Sequence, residues 1–163
     1  MLNRLLMIFT AILMATGTAT AATIEEFFAQ PICYLEATDS DIPDGNGGLQ
    51  QNETFIQLNY VKFTPQLIGI FNYLPAGVDS TRGVLASYDL QKLPNATDVF
   101  LLKTFHHVSV EGYNAINEQY FMVSGDKIAI GFGPRSDGEL PDIYFYKNPD
   151  NMDYSYSLPR VDC

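Results

Sequence analysis

The chain has two cysteines, Cys33 and Cys163, standing near opposite ends of it. In an oxidising compartment such a pair is expected to bond. A bridge between them makes the first and last strands neighbours, a condition met by a closed barrel or by a compact two-sheet sandwich. In the chain-entropy description a loop of this length is stabilised by up to about 5 kcal/mol. A redox role has no support, because there is no C-x-x-C spacing and no sign of a βαβ unit.

The N-terminus supplies the compartment. Residues 1–21 begin with one basic residue, Arg4, continue through an apolar stretch around Leu5–Ala15, and end in Ala19-Thr20-Ala21. This is the layout of a secretory signal peptide. The apolar stretch is shorter than the ~20 residues of a membrane span, and Thr16, Gly17, Thr18 and Thr20 interrupt it. No cysteine follows that would take a lipid. Cleavage after Ala21 leaves residues 22–163 as a single β domain, periplasmic or secreted and free of the membrane. Nine basic residues face 19 acidic ones, a formal charge of −10 that becomes −11 once Arg4 leaves with the signal. That charge disfavours nucleic acid and anionic lipid surfaces, and favours a basic partner. A hydrophobic share of 47% with 13% aromatics excludes a disordered chain.

Short alternating runs then follow one another. Thr23-Ile24-Glu25-Glu26 has the form of a capping box, and Pro31 ends what it starts, so a helix is expected over Ile24–Ala29. Its Phe27-Phe28 pair is placed to plug one end of a barrel. Ile32–Ala37 reads as the first strand, Thr38–Asn52 as an acidic loop, and Thr54–Phe63 as a strand whose apolar face changes at Val61, a sign of a bulge or corner. Gln66–Leu74 is apolar on both faces, as in a central or doubly covered strand. Val84, Ala86, Tyr88 and Leu90 make an apolar face opposite Ser87 and Asp89. In Asp98–Val110, Phe100, Leu102, Thr104, His106, Val108 and Val110 share one face, and Gly112–Glu118 turns the chain. Tyr120–Val123 and Ile128–Phe132 flank Ser124-Gly125-Asp126-Lys127, a tight turn in which Gly125 is expected at positive φ. Ile143–Tyr146 and Tyr154–Leu158 complete the set, with Pro159 marking the end. About eight or nine short strands, little helix and turns rich in glycine and proline define an all-β domain, a small antiparallel barrel with a two-sheet sandwich as the alternative.

Chemistry is sparse. G-x-S-x-G, H-E-x-x-H, P-loop and dinucleotide fingerprints are missing from the sequence. His106 and His107, the only histidines, are strand neighbours pointing in opposite directions, a poor arrangement for one metal. Asp39, Asp41 and Asp44 fail the calcium-loop template, with Pro43 fifth, Asp44 sixth and Gln50 twelfth. Most other carboxylates fall in turn-like segments. Asn52 and Asn95 sit in glycosylation acceptor patterns that matter only in a eukaryotic host. The residues therefore assign no catalytic group, cofactor or metal.

Tyrosine makes the one constellation of interest. Tyr144 and Tyr146 lie across a turn from Tyr154 and Tyr156, at period two on both runs. Such rings supply rigid contact area with polar tips, for a binding surface, a wet cavity or simply a cross-strand ladder. Two functions follow. One is a partner-binding protein that blocks a basic, cell-wall-degrading enzyme with a loop carrying Arg135, Ser136, Asp137 and Glu139. The other is a carrier of a small apolar or aromatic ligand, lined by Tyr144, Tyr146, Tyr154, Tyr156 and Phe132. A hydrolase comes third, since no spacing pairs its carboxylates. In size, export, acidity and a disulfide-tied β fold the chain is similar to several periplasmic inhibitors and immunity proteins, including those that block lysozyme, without an aligned motif.

Overall fold

The computed structural model describes residues 22–62, 66–78, 80–94, 96–110, 113–134 and 152–163. Among these residues one short helix, α1 (Ile24–Phe27), precedes ten strands: β1 (Ile32–Pro43), β2 (Leu49–Val61), β3 (Gln66–Leu74), β4 (Thr81–Lys92), β5 (Phe100–Val110), β6 (Tyr113–Val123), β7 (Lys127–Ile130), β8 (Phe132–Pro134), β9 (Met152–Asp153) and β10 (Ser157–Val161). From β1 to β7 each strand pairs antiparallel with the next. The last, β10, pairs with both β7 and β1 and closes the barrel. β8 and β9 form a separate two-stranded sheet. The all-β barrel is the fold expected from the sequence, and the sandwich is excluded.

The seam carries the disulfide. Cys33 pairs in register with Val161, two residues from Cys163, and the Cys33–Cys163 bridge joins Cα atoms 5.2 Å apart. Pro159 lies within β10 rather than beyond it. It falls where the strand passes from pairing with β7, through Ser157 to Pro159, to pairing with β1, through Arg160 and Val161. A missing N–H is tolerated at such a change of partner.

One end of the barrel is sealed. Thr23 and Glu26 form the expected capping box on α1. Phe27 and Phe28 stack edge-on at 4.8 Å and reach Phe100 at 4.7 and 5.5 Å. Lys92 covers the Phe100 ring at 5.5 Å, and its Nζ donates to the Ala22 carbonyl and pairs with Asp98. Asp98 in turn accepts from the Ala22 N–H at 3.0 Å. Above this plug, Ile32, Tyr34, Ile56, Leu58, Leu67, Leu85, Phe100, Leu102, Phe121, Val123, Ile128, Ile130 and Leu158 fill the interior. Each such side chain contributes roughly 1.5–3 kcal/mol by leaving water.

Several local expectations are corrected. Thr38–Asn52 is mostly strand, because Thr38 pairs with Asn52 and Asp39 with Gln51, leaving a turn only at 44–48. Ladder hydrogen bonds with a neighbour outweigh the weak strand preference of Asp and Asn. Likewise β6 starts at Tyr113, inside the expected turn. β2 keeps its register with β3 through Val61, so no bulge lies there. The bulges lie between Asp39 and Pro43, and between Ser87 and Asp89. At the second, the Leu67 N–H finds Ser87 Oγ at 2.6 Å. Gly125 is not among the residues at positive φ. The turn is instead tied by Ser124, whose N–H and Oγ both donate to the Lys127 carbonyl at 2.9 Å.

β3 is covered on one face only. Leu67 and Phe71 are buried inside, whereas Ile68 and Ile70 are exposed outside. On β4 the inward residues are Gly83, Leu85 and Ser87, so Val84 and Tyr88 face solvent, the reverse of a reading from apolar alternation. Register sets Ile70 beside Val84 and Val84 beside His107, and His107 beside Ile116, giving the outer wall an apolar strip.

Two outcomes test this architecture. Cys33→Ser with Cys163→Ser should lower unfolding stability by about 2–5 kcal/mol in denaturant titration. Gly69 sits where a Cβ would strike the Gln57 carbonyl of β2. Gly69→Ala should therefore cost about 2–3 kcal/mol, seen as a lower denaturation midpoint at unchanged slope.

Candidate functional site

Side chains at alternate positions enter the barrel, and their chemistry changes away from the plug. On β1, Ile32 and Tyr34 are buried inside, so alternation sends Glu36 inward next. Glu36 is paired with Thr54, Thr54 with Tyr73, and Tyr73 with Thr81. On the far wall Thr104 is paired with Gln119, and His106 with Asn117. This end of the barrel is thus ringed by hydroxyls, amides and aromatic rings instead of aliphatic chains. It holds a cavity of about 480 Å³ lined by Thr54, Phe71, Tyr73, Thr81 and Tyr156.

Tyr156 lies in the stretch before β10 and reaches past β1. Its hydroxyl donates to Thr54 Oγ1 at 3.1 Å, and the Glu36 carboxylate, on the register partner of Thr54, lies near enough to act on its titration. Burial raises its pKa, and Glu36 adds to that. The phenol is accordingly a donor at neutral pH. Tyr73, at the rim, is 47% exposed.

Phe71 forms the inner wall. One side of its ring stacks on His106 at 4.9 Å, and its edge meets Phe121 at 6.0 Å. His106 is buried, and its Nε2 meets no hydrogen-bond partner among the described residues. Burial lowers its pKa below the ordinary histidine value of 6.5, while the Phe71 backbone pulls weakly the other way. The ring is therefore neutral at physiological pH and serves as packing behind Phe71. Gly83 makes room for it, since a Cβ there would run into the His106 ring and the His107 carbonyl. His107 faces outward and is exposed.

Of the residues singled out in the sequence, Tyr156 lines the cavity and Cys33 and Cys163 form the bridge. Tyr154 is half-buried and packs beside Gly131, where a Cβ would lie 3.1 Å from its ring. Arg135, Ser136, Asp137, Glu139, Tyr144 and Tyr146 lie outside the described residues, as does the strand expected at Ile143–Tyr146, and nothing is described of the Phe132 side chain. Sequence reasoning missed Glu36, Thr54, Phe71, Tyr73 and Thr81 as site residues. The available signal was the abrupt change of inward residues from Ile32 and Tyr34 to Glu36. Among the described residues no group of three or more His, Cys, Asp or Glu side chains is placed to hold a metal ion, and no helix is long and apolar enough to cross a membrane. Compared with family models, curated proteins and solved structures, the chain matches none.

The histidine gives a pH signature. Its folded pKa is depressed, so the unfolded chain takes the proton more readily, and the stability of the neutral ring is full above about pH 6.5 and shrinks below it. Asp44, Asp89 and Asp126 also have lowered pKa values, through hydrogen bonds to their carboxylates, but they act on stability only below about pH 5. Melting temperature should fall between about pH 7.5 and 5.5 in the native protein, and fall less in His106→Gln. Parallel pH profiles for the two would remove His106 from this account.

Proposed function

We propose that this protein binds a small, largely apolar molecule in the open end of its barrel and acts as an exported carrier or receptor for it. The observation that carries the reading is the cavity of about 480 Å³, whose walls are Phe71, Tyr73 and Tyr156 with hydroxyls from Thr54 and Thr81. Its volume lies within the roughly 300–1,000 Å³ of ordinary ligand pockets, and a mainly aromatic wall with a few fixed polar groups is their usual lining. A barrel sealed below by α1 gives such a ligand one way in.

Export rests on residues 1–21 and on the disulfide, which an oxidising compartment preserves. The acidic β1–β2 hairpin would serve a basic protein partner as well as a ligand. Binding of a small molecule is preferred because aromatic rings and hydroxyls from separate strands converge on one cavity.

The test is displacement of a neutral fluorescent probe, N-phenylnaphthylamine. The chain has no tryptophan, so the probe signal is read against a tyrosine background alone. Saturable binding at one site is expected. Thr81→Phe, which puts a ring into the cavity, should weaken it about tenfold or more at unchanged melting temperature. Equal binding by Thr81→Phe and the native protein would place the probe elsewhere and sink the reading.

A further inference from the structure

Resting on the ligand-binding reading above, we infer that the ligand is an organic cation: an ammonium head held among Phe71, Tyr73 and Tyr156, with Glu36 as its counter-charge. Charge complementarity decides this. Glu36 is the one inward carboxylate on β1 between Ile32 and Pro43, and it is half-buried beside its register partner Thr54 in the cavity wall. An inward carboxylate loses part of its hydration, and a neutral apolar ligand covering it would complete that loss without compensation. An anion would be repelled. A cation turns the same group into a partner, and a tertiary or quaternary ammonium adds attraction to the aromatic faces.

Among the described residues no fixed positive charge lines the place. The described lining is Thr54, Phe71, Tyr73, Thr81 and Tyr156. Arg82, next to Thr81, sits on the opposite face of β4 and is exposed. His106 is screened from the cavity by the Phe71 ring. Around the mouth the field is negative. From Ile32 to Val61 the chain carries Glu36, Asp39, Asp41, Asp44 and Glu53 and no lysine or arginine. Asp39, Asp41 and Asp44 are exposed on the hairpin of β1 and β2 at the open end. A positive ligand is drawn toward that end before it reaches the aromatic walls.

The experiment uses two ligands of the same shape: para-trimethylammonium phenol, which is cationic, and para-tert-butylphenol, which is neutral. Each displaces N-phenylnaphthylamine from the mature, oxidised protein. The cation should do so at about tenfold lower concentration. In Glu36→Gln, which keeps the size and polarity of the side chain, the ratio should fall toward one, with folding checked by melting temperature. If tert-butylphenol competes as well as the cation in the native protein, the charge inference fails and the cavity reading stands. The same holds if Glu36→Gln leaves the ratio intact. If neither phenol nor the naphthylamine binds, both readings fail.

Discussion

A sheet of eight strands that closes on itself leaves an interior just wide enough for its own side chains. Everything else here depends on how that fixed volume is shared. Strand periodicity sends every second residue inward, and the antiparallel registers align these residues across strands. Ile32 and Tyr34, Ile56 and Leu58, Phe100 and Leu102, and Phe121 and Val123 supply large apolar groups at one level. Glu36, Thr54, Thr104, His106 and Gln119 supply polar ones at the next. The change occurs at a similar height on each long strand, because Glu36, Thr54 and Tyr73 are register partners in turn and so are Thr104 and Gln119. A packed half and an open half follow from the sequence of inward residues alone.

The plug and the disulfide both serve the packed half. Phe27 and Phe28 extend the core downward onto Phe100, and Lys92 and Asp98 hold the segment before α1. The bridge clamps β1 to β10 at this same end. The open half keeps its form through contacts of another kind. Gln119 Nε2 donates to the Gly131 carbonyl at 2.8 Å, Thr104 donates to the Gln119 carbonyl at 2.9 Å, and Tyr156 bridges to Thr54. Rigidity at one end lets the other carry polar groups and empty space that a core could not tolerate.

The barrel, the helix with its capping box and the bridge were legible because each rests on a simple signal: alternation, a Thr-x-x-Glu spacing, and a single pair of cysteines. On β5 the sequence grouped Phe100, Leu102, Thr104 and His106 on the more apolar face, and that face is the inward one. The inward face of β4 was not legible. Its small inward residues, Gly83 and Ser87, accommodate His106 and the Leu67 N–H, while Val84 and Tyr88 stay outside. The bulge after Ser87 then shifts the phase so that Leu90 turns toward the core. Periodicity assumes a buried face more apolar than the exposed one, and a polar interior defeats that assumption. The cavity residues were hidden for the same reason. They come from β1, β2, β3 and β4 and are joined only by register, which a linear pattern of apolar residues does not encode.

The order of strands has a kinetic consequence. Seven strands pair with sequence neighbours, and each hairpin can form as soon as its residues exist. The seam is different: β10 must slot between β7 and β1, and Cys33 must meet a residue 130 positions away. Until it does, β1 and β7 are bare sheet edges with free N–H and C=O groups on a chain already rich in apolar strands. Such edges pair readily with other chains. The exposed aspartates Asp39 and Asp41 stand on β1 beyond its Cys33 and Tyr34 pairs with β10, where charge opposes pairing with another chain both before and after closure.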